Sequence, residues 1–372
     1  MSFLINAANL HGGGGVQVAV SIIYELFQNP SLPSDLMIWA SGEVDADLRR
    51  LGIDVNRMSN YQVVNIYGFG MIFSKHIRNI NCYNSIFTIF GPLYILWKMP
   101  RHICGFAQAW ILYPKNEVSL SKSALDRLLV YSKYFIQTLF FKRTDILTVE
   151  LDHVKDRLSL LSIKNRKDIV VIRNCVSSLY YQPDKWEFVA LPSTPSLLRL
   201  GFVGRNYPHK NTRIFPKIID FLKKKYDINA RFFVTFNEHE WEECSQEFRE
   251  VTHNVGMLSV SQCPKFYQGM DAVVFPSLLE CFSATPLEAM VMEKPLFASD
   301  RPFNRDVCSS HAYYFDPLHP EDAAAKIAAL FNAGGASFDV LQAARTHALG
   351  FSNARERALQ CLALLIQSDI PK

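Results

Sequence analysis

An α/β protein of two tandem, doubly wound domains is predicted by three observations. Apolar runs of strand length alternate with longer stretches of helical spacing along the whole chain. That alternation lapses once, around residues 182–196, where Pro183, Pro192 and Pro195 fall among small polar residues. The length of 372 residues exceeds one ordinary core, and an apolar share of 49% is enough to fill two. The expected division is a first domain over 1–182, a second over 197–350 with a cleft between them, and a C-terminal segment over 351–372.

The elements follow in order. Residues 3–7 read as a buried strand, then comes Gly12-Gly-Gly-Gly, then a helix whose Val16, Val20, Ile23 and Phe27 recur at helical spacing. Further strands are expected at 36–40, 85–90, 102–107, 146–149 and 169–172. After the lapse the series restarts at 198–203, 230–235, 253–255, 272–275, 295–298 and 313–315. Helices are expected over 322–332, 338–349 and, as a last amphipathic element, 354–367.

Composition excludes several classes. A formal net charge of +4 is too mild for a nucleic-acid footprint, though it suits an anionic ligand or loose contact with anionic lipid. The eight cysteines are scattered without C-x-x-C or His/Cys clusters, so a reduced, cytoplasmic chain is expected, without a metal site. The N-terminus lacks a basic segment and reads as a first strand, not a signal peptide. The oiliest stretch, 86–99, is broken by Gly91-Pro92 and falls short of a span. Together with Tyr67-Gly-Phe-Gly-Met-Ile-Phe it is either core or a monotopic membrane contact, with core favoured.

Three groups can do chemistry. The glycines Gly13, Gly14 and Gly15 lie between a strand and a helix, where they either make a tight turn or let backbone N–H groups approach a ligand. No G-x-G-x-x-G can be read, which argues against a dinucleotide. In the second half, Phe-Val-Gly-Arg-Asn-Tyr-Pro-His-Lys-Asn places Gly204, Arg205, Lys210 and Asn211 after a strand. Two such cations suit a diphosphate, or are simply solvated. The third group is residues 273–288, Val-Val-Phe-Pro-Ser-Leu-Leu-Glu-Cys-Phe-Ser-Ala-Thr-Pro-Leu-Glu. Its Thr-Pro-Leu-Glu288 forms a capping box on paper, with Thr285 as N-cap, whereas Glu280 sits in an apolar run and needs a partner or a role. The N–H groups of residues 282–285 are placed to receive an anion or sugar hydroxyls. Neither His-based metal spacing nor a nucleophile elbow nor a Walker motif is present.

Gly-Arg…His-Lys-Asn followed some seventy residues later by Pro-Ser…Glu…Pro-Leu-Glu-Ala-Met closely resembles the family-four retaining glycosyltransferases of the GT-B fold. The likeness covers residues 198–329 and extends to Asn-Val-Gly256, Met270-Asp-Ala and Phe315-Asp-Pro. In the first half it rests on the glycine loop and Val-Ile-Arg-Asn174. The resemblance implies two Rossmann-like domains facing across a cleft, with the C-terminal helix returning to the N-terminal domain. It implies that Arg205 and Lys210 hold the donor diphosphate, that Glu280 faces the transferred sugar, and that Glu288 holds the ribose. Met257 and Leu258 would border the base, and Gly13, Gly14 and Gly15 would approach the donor phosphate. Gly204, Asn211, Cys281, Phe282 and Ser283 fall among the donor-side positions. Where the family commonly has Glu-Gly-Phe-Gly this chain has Glu280-Cys-Phe-Ser283, which places the question of sugar identity there. Gln108 stands on the acceptor side where the family often has His; Gln can bond a hydroxyl but is no base.

The expected function is a metal-independent, cofactor-free retaining hexosyltransferase that uses a nucleotide sugar. Its acceptor would be a glycan or a polyprenyl-diphosphate-linked oligosaccharide of bacterial surface polysaccharide (O-antigen or capsule) synthesis. It would act in the cytoplasm or peripherally on the inner membrane, with no nucleic-acid partner. The rivals are a nucleotide-sugar epimerase on the same fold and an inactive glycan- or partner-binding subunit.

Overall fold

The computed structural model describes residues 2–29, 31–55, 60–194 and 196–367; Pro195 of the expected linker and residues 368–372 of the C-terminal segment lie outside them. The chain divides into two units. The first takes the described residues of Met1–Pro114, Ser123–Asn174 and Ser352–Lys372, and the second takes Lys115–Lys122 and Cys175–Phe351. The expected boundary at 182 thus lies inside the second unit, because the chain from Cys175 already packs there: the buried Tyr180 ring sits 6.3 Å from that of Tyr267. The excursion at 115–122 joins the same unit through the short helix Glu117–Leu120, whose Glu117 pairs with Arg301.

Each unit is built on one parallel sheet. In the first, β1 (Phe3–Ala7), β2 (Leu36–Ala40), β3 (Tyr61–Val63), β4 (Ser85–Thr88), β5 (Arg101–Gly105), β6 (Ile146–Val149) and β7 (Ile169–Val171) run in the order β3-β2-β1-β4-β5-β6-β7. In the second, β8 (Leu198–Phe202), β9 (Ala230–Val234), β10 (Thr252–Asn254), β11 (Ala272–Phe275), β12 (Leu296–Ser299) and β13 (Tyr313–Phe315) run β10-β9-β8-β11-β12-β13. Both orders reverse after the first strand, at β1/β4 and at β8/β11, the switch points where doubly wound sheets open a crevice at their carboxyl edge. β3 is absent from the sequence-based series because it is a three-residue edge strand, Tyr-Gln-Val, with two of its residues exposed. Elsewhere strand ends move by one or two residues.

Parallel strands are covered on both faces, which is why their sequences are continuously apolar. Along β1 the two faces separate residue by residue. Ile5 enters a core with the helix Gly13–Phe27, and Leu4 enters the opposite core with Trp39, Ile86 and Ile77. β5 closes on the end of β4 because residue 105 is glycine: a Cβ there would fall 1.8 Å from the Ile89 carbonyl oxygen. The stretch 86–99 is mostly core, with Ile86, Phe87, Ile89, Leu93 and Ile95 buried, and only its tail, Leu96 and Trp97, reaches the surface. In the second unit an aromatic stack fills the space under β8 and β9, with Phe215 and Phe232 at 3.8 Å and Phe202 edge-on to Phe215 at 5.7 Å.

The last helix, Ala354–Ile366, belongs to the first unit, where Ala358, Cys361, Leu362 and Leu365 complete the core beside the helix Gly13–Phe27. A polar chain holds its start. Asn174 donates to Glu150 Oε1 at 2.6 Å and accepts from the buried Arg357 of that helix. Burial pushes the Glu150 carboxyl up to about 7, against the opposing pull of Arg357 and Asn174. A carboxyl whose folded pKa is raised contributes stability that is complete below the unfolded value and lost as pH rises through about 7. Glu150→Gln should therefore gain in melting temperature relative to the natural chain as pH is raised from 5 to 8. Melting curves across that window check this, and a pH-independent difference would remove Glu150 as the titrating group.

Candidate active site

The site forms where the second sheet reverses, between the loops that follow β8 and β11. After β8 the chain runs through Gly204 and Arg205 into the single turn Pro208–Lys210, closed by Lys210 N–H donating to the Tyr207 carbonyl at 2.8 Å. Asn211 ends that turn in a left-handed conformation, φ 56°, which Asn tolerates better than most residues. Its buried amide donates to the carbonyls of Pro317 at 2.9 Å and Pro276 at 3.4 Å. Asn211, expected among the donor-side residues, is therefore a strut that fixes Lys210 by spending its donors on backbone.

Two more bonds stitch the loops together. Leu278 N–H donates to the His209 carbonyl at 2.8 Å, and Thr285 Oγ1 donates to the Val203 carbonyl at 3.3 Å. The result is the central contact of the site: Lys210 Nζ lies 2.6 Å from Glu280 Oε1, with the side chains only 14% and 12% exposed. The ammonium also sits 5.2 Å from the centre of the Phe275 ring, a cation–π arrangement that keeps it in place. Glu280 thus has the partner that its apolar surroundings demand. Burial holds the neighbouring His209 below the ordinary imidazole range, with Glu280 pulling it back up and Lys210 pushing it further down.

Arg205 is anchored differently. Its Nε donates to Glu240 Oε1 at 2.7 Å, and its terminal nitrogens take up no hydrogen bond among the described residues, so they remain available as a two-pronged donor. Glu240, which local sequence does not single out, is the residue that fixes Arg205. It closes a capping box with Asn237, donating its N–H to Asn237 Oδ1 at 2.7 Å while Oε2 accepts from Asn237 N–H at 3.1 Å. The Asn-x-x-Glu spacing after β9 was the available signal.

The capping box expected at Thr285 is not formed. The helix Thr285–Val291 begins one residue earlier in register: Ala284 is its N-cap, no side chain caps it, and the Thr285 hydroxyl is used on Val203. Glu288 is therefore not held as a cap. It takes a hydrogen bond from the Tyr267 hydroxyl at 2.9 Å, with the buried Tyr180 alongside. Burial raises its carboxyl pKa, and the two tyrosine hydroxyls act in the opposite direction. Cys281 is buried, and Phe282 and Ser283 are partly exposed. The main-chain N–H groups of Phe282, Ser283 and Ala284 donate to nothing among the described residues.

Gly204 donates its N–H to Thr235 Oγ1 at 3.0 Å. Met257, which is exposed, and Leu258 follow β10 beyond Gly256, whose φ of 79° favours glycine; among the described residues no hydrogen bond or ring contact joins them to the Lys210–Glu280 pair. In the first unit Gly13, Gly14 and Gly15 form the first turn of the helix Gly13–Phe27, with Gly13 at φ 66° and Gly13 and Gly14 exposed. His11 just before them is held by Glu43 at 2.9 Å and stacks on Tyr67 at 4.0 Å. Gln108, partly exposed, precedes the short helix Ala109–Leu112 after β5, and its carbonyl accepts from Ile111 N–H.

Two doubly wound units, with a cation–carboxylate pair at the switch point of the second, define an open-sheet α/β protein with its polar cluster at the carboxyl edge. Residues 190–346 match the family of glycosyl transferases group 1. Over 194 residues the chain is 24% identical to the O-antigen chain mannosyltransferase RfbU of Salmonella typhimurium strain LT2. That alignment takes in 50% of this chain and 51% of RfbU, so the chain spans about half the length of this curated relative. Among solved structures, a glycosyltransferase from Rickettsia africae ESF-5 superposes with a TM-score of 0.67 at 13% identity, covering 99% of both chains. Anabaena Alr3699/HepE in complex with UDP gives 0.65 at 12% identity, over 98% of this chain and 99% of that one. At these identities the likeness shows the fold, which is GT-B.

The Asn211 strut is testable by itself. Asn211→Ala should destabilise the second unit by about 2–3 kcal/mol, from two lost buried hydrogen bonds and an unfavourable left-handed alanine. Asn211→Gly should recover about 1 kcal/mol of that by relieving the backbone. Denaturant unfolding of both variants reads the difference, and equal stability of all three proteins would show that the strut carries no load.

Proposed function

We propose that this chain is a retaining glycosyltransferase that moves a hexose from a nucleotide sugar to a glycan acceptor. The acceptor is a lipid-linked intermediate of bacterial surface polysaccharide, such as a polyprenyl-diphosphate oligosaccharide. The work is done in the cytoplasm or peripherally on the inner membrane. The observation that carries the reading is the Lys210–Glu280 pair at the switch point, with Arg205 on the same loop. The family match supports the reaction class, and the partial likeness to the mannosyltransferase RfbU supports the hexose and the O-antigen setting.

In this reading the bond from the sugar's anomeric carbon to the diphosphate oxygen breaks, and negative charge gathers on the leaving phosphate. Lys210 and the open end of Arg205 are the groups that meet that charge, in a partly desolvated place where a fixed cation counts for more than in water. The acceptor hydroxyl attacks the same face, and its proton passes to the leaving phosphate oxygen. Glu280 stands beside the electron-poor anomeric centre and opposes its positive charge. Two side-chain cations supply the electrostatics, so the reaction needs no metal. Glu288 holds the ribose hydroxyls, and the N–H groups of Phe282 and Ser283 lie next to the sugar.

Glu280→Gln keeps the side chain's shape and should lower transfer by at least about 100-fold. Near-normal turnover by that variant removes Glu280 from the mechanism. Lys210→Ala should weaken nucleotide-sugar binding by about 10- to 100-fold, the worth of a charge-assisted contact. Unchanged donor affinity by calorimetry would end the diphosphate role. Transfer should survive a chelator. Donor incubated without acceptor should return unaltered, whereas an epimerised product would point to the other reaction.

A further inference from the structure

We infer that the outward face of the helix Ala124–Lys142 is a docking surface for an anionic lipid bilayer. The inference deepens the reading of a lipid-linked acceptor and rests on it. This helix is 19 residues long, yet it buries only Gln137, Phe140 and Phe141. Its opposite side exposes Leu125, Leu128, Leu129, Phe135, Ile136 and Leu139, with Leu125 and Phe135 each 67% exposed. At 3.6 residues per turn these six fall within an arc of roughly 120°, the width of a buried helix face. The helix is amphipathic twice over, and only one of its apolar faces is used by the first unit.

Neighbouring segments extend the surface. Phe69 of the turn Gly68–Phe73 packs its ring 5.9 Å from Phe140 and 4.5 Å from Tyr94, and both Phe69 and Phe73 remain exposed. Arg143 donates to the carbonyls of Leu96 at 3.0 Å and Trp97 at 3.1 Å, holding that exposed pair at the end of the helix. Soluble monomers rarely expose a contiguous apolar patch above a few hundred Å².

Charge selects the occupant. Residues 68–78, 96–98 and 124–143 together contain seven Lys or Arg (Lys75, Arg78, Lys98, Arg127, Lys133, Lys142 and Arg143) and a single acid, Asp126, whereas the whole chain is nearly balanced at 39 to 35. Lys133 and Lys142 flank the apolar arc, and Trp97 and Tyr131 supply amphipathic rings at its margin. An anionic headgroup layer over acyl chains matches both features, with apolar residues inserted and cations at headgroup level. A second copy of the same face would bring two basic patches together and be repelled. No helix among the described residues is long and apolar enough to cross a membrane, so the contact is one of lying on the surface.

The test is co-flotation of the full chain with vesicles of phosphatidylcholine alone or with added phosphatidylglycerol. The natural chain should float with the anionic vesicles, and less so as salt is raised. Leu128→Ser combined with Phe135→Ser and Leu139→Ser should lower vesicle affinity by about tenfold or more while nucleotide binding and melting temperature hold. Lys133→Glu with Lys142→Glu should abolish the preference for anionic vesicles. No flotation of the natural chain with anionic vesicles overturns the inference, as does a triple variant that floats equally well. A dimer that the triple variant splits, with flotation unchanged, would make the face a self-association surface instead. Nucleotide-sugar binding measured in parallel separates the outcomes: if it persists without vesicle binding, the docking surface fails and the enzymatic reading stands.

Discussion

The second unit is organised around one ion pair, Lys210 with Glu280, in surroundings that leave neither charge much water. The pair exists because a parallel sheet that reverses its winding must part its loops at one point, and here the loops after β8 and β11 meet across that gap. Leu278, Asn211 and Thr285 tie the two loops by backbone-directed hydrogen bonds, so the charges are held by main chain on both sides. Arg205, on the same loop as Lys210, repeats the device with Glu240 of the short helix Glu238–Glu242 after β9. Each cation is thereby held at a fixed position by the protein itself. The same pairing keeps the unliganded site close to neutral.

The first unit carries its candidate residues differently. Its glycine turn, His11 and Gln108 lie on loops at the carboxyl edge of the sheet, while its most unusual surface is the helix Ala124–Lys142. A mild net charge for the whole chain conceals a basic, apolar region on this unit, offset by acids elsewhere. The last helix returns to the same unit, and Glu150, Asn174 and Arg357 hold its start through a buried polar chain whose carboxyl is costly to ionise. Such a chain adds orientation more than stability, since burying charge consumes much of what pairing returns.

Much of this was legible in the residues. Twelve of the thirteen strands follow from apolar runs of strand length, because a sheet covered on both faces demands them; the exception, β3, is a short edge strand with little to bury. Lys210, Arg205 and Glu280 were recognisable from their motifs as a charged group at strand ends. Asn211 was assigned to ligand contact on the strength of its neighbours, and only its burial and its carbonyl partners reveal a strut. Glu240 was overlooked because its Asn-x-x-Glu pattern reads as a helix start alone; its second oxygen reaches a residue 35 positions away. Thr285 had every local mark of an N-cap, yet its hydroxyl bonds to Val203 just past β8 and Ala284 takes the N-cap position. The oily stretch 86–99 went mostly to the core, and the exposed apolar face came instead from a helix with two apolar sides, which a single periodicity count cannot separate.

The sequence by itself determined the element types, the two-unit α/β organisation and which strand ends carry charged side chains, because these depend on local periodicity and on side-chain type. Tertiary structure alone decided which charges pair, which candidate is a strut, where the helix after β11 begins and which apolar face stays open. Those outcomes depend on contacts between residues far apart in the chain: Val203 takes the Thr285 hydroxyl in place of a local cap, Arg205 adds to the local capping box of Glu240, and Lys210 meets a Glu280 that local structure leaves without a partner.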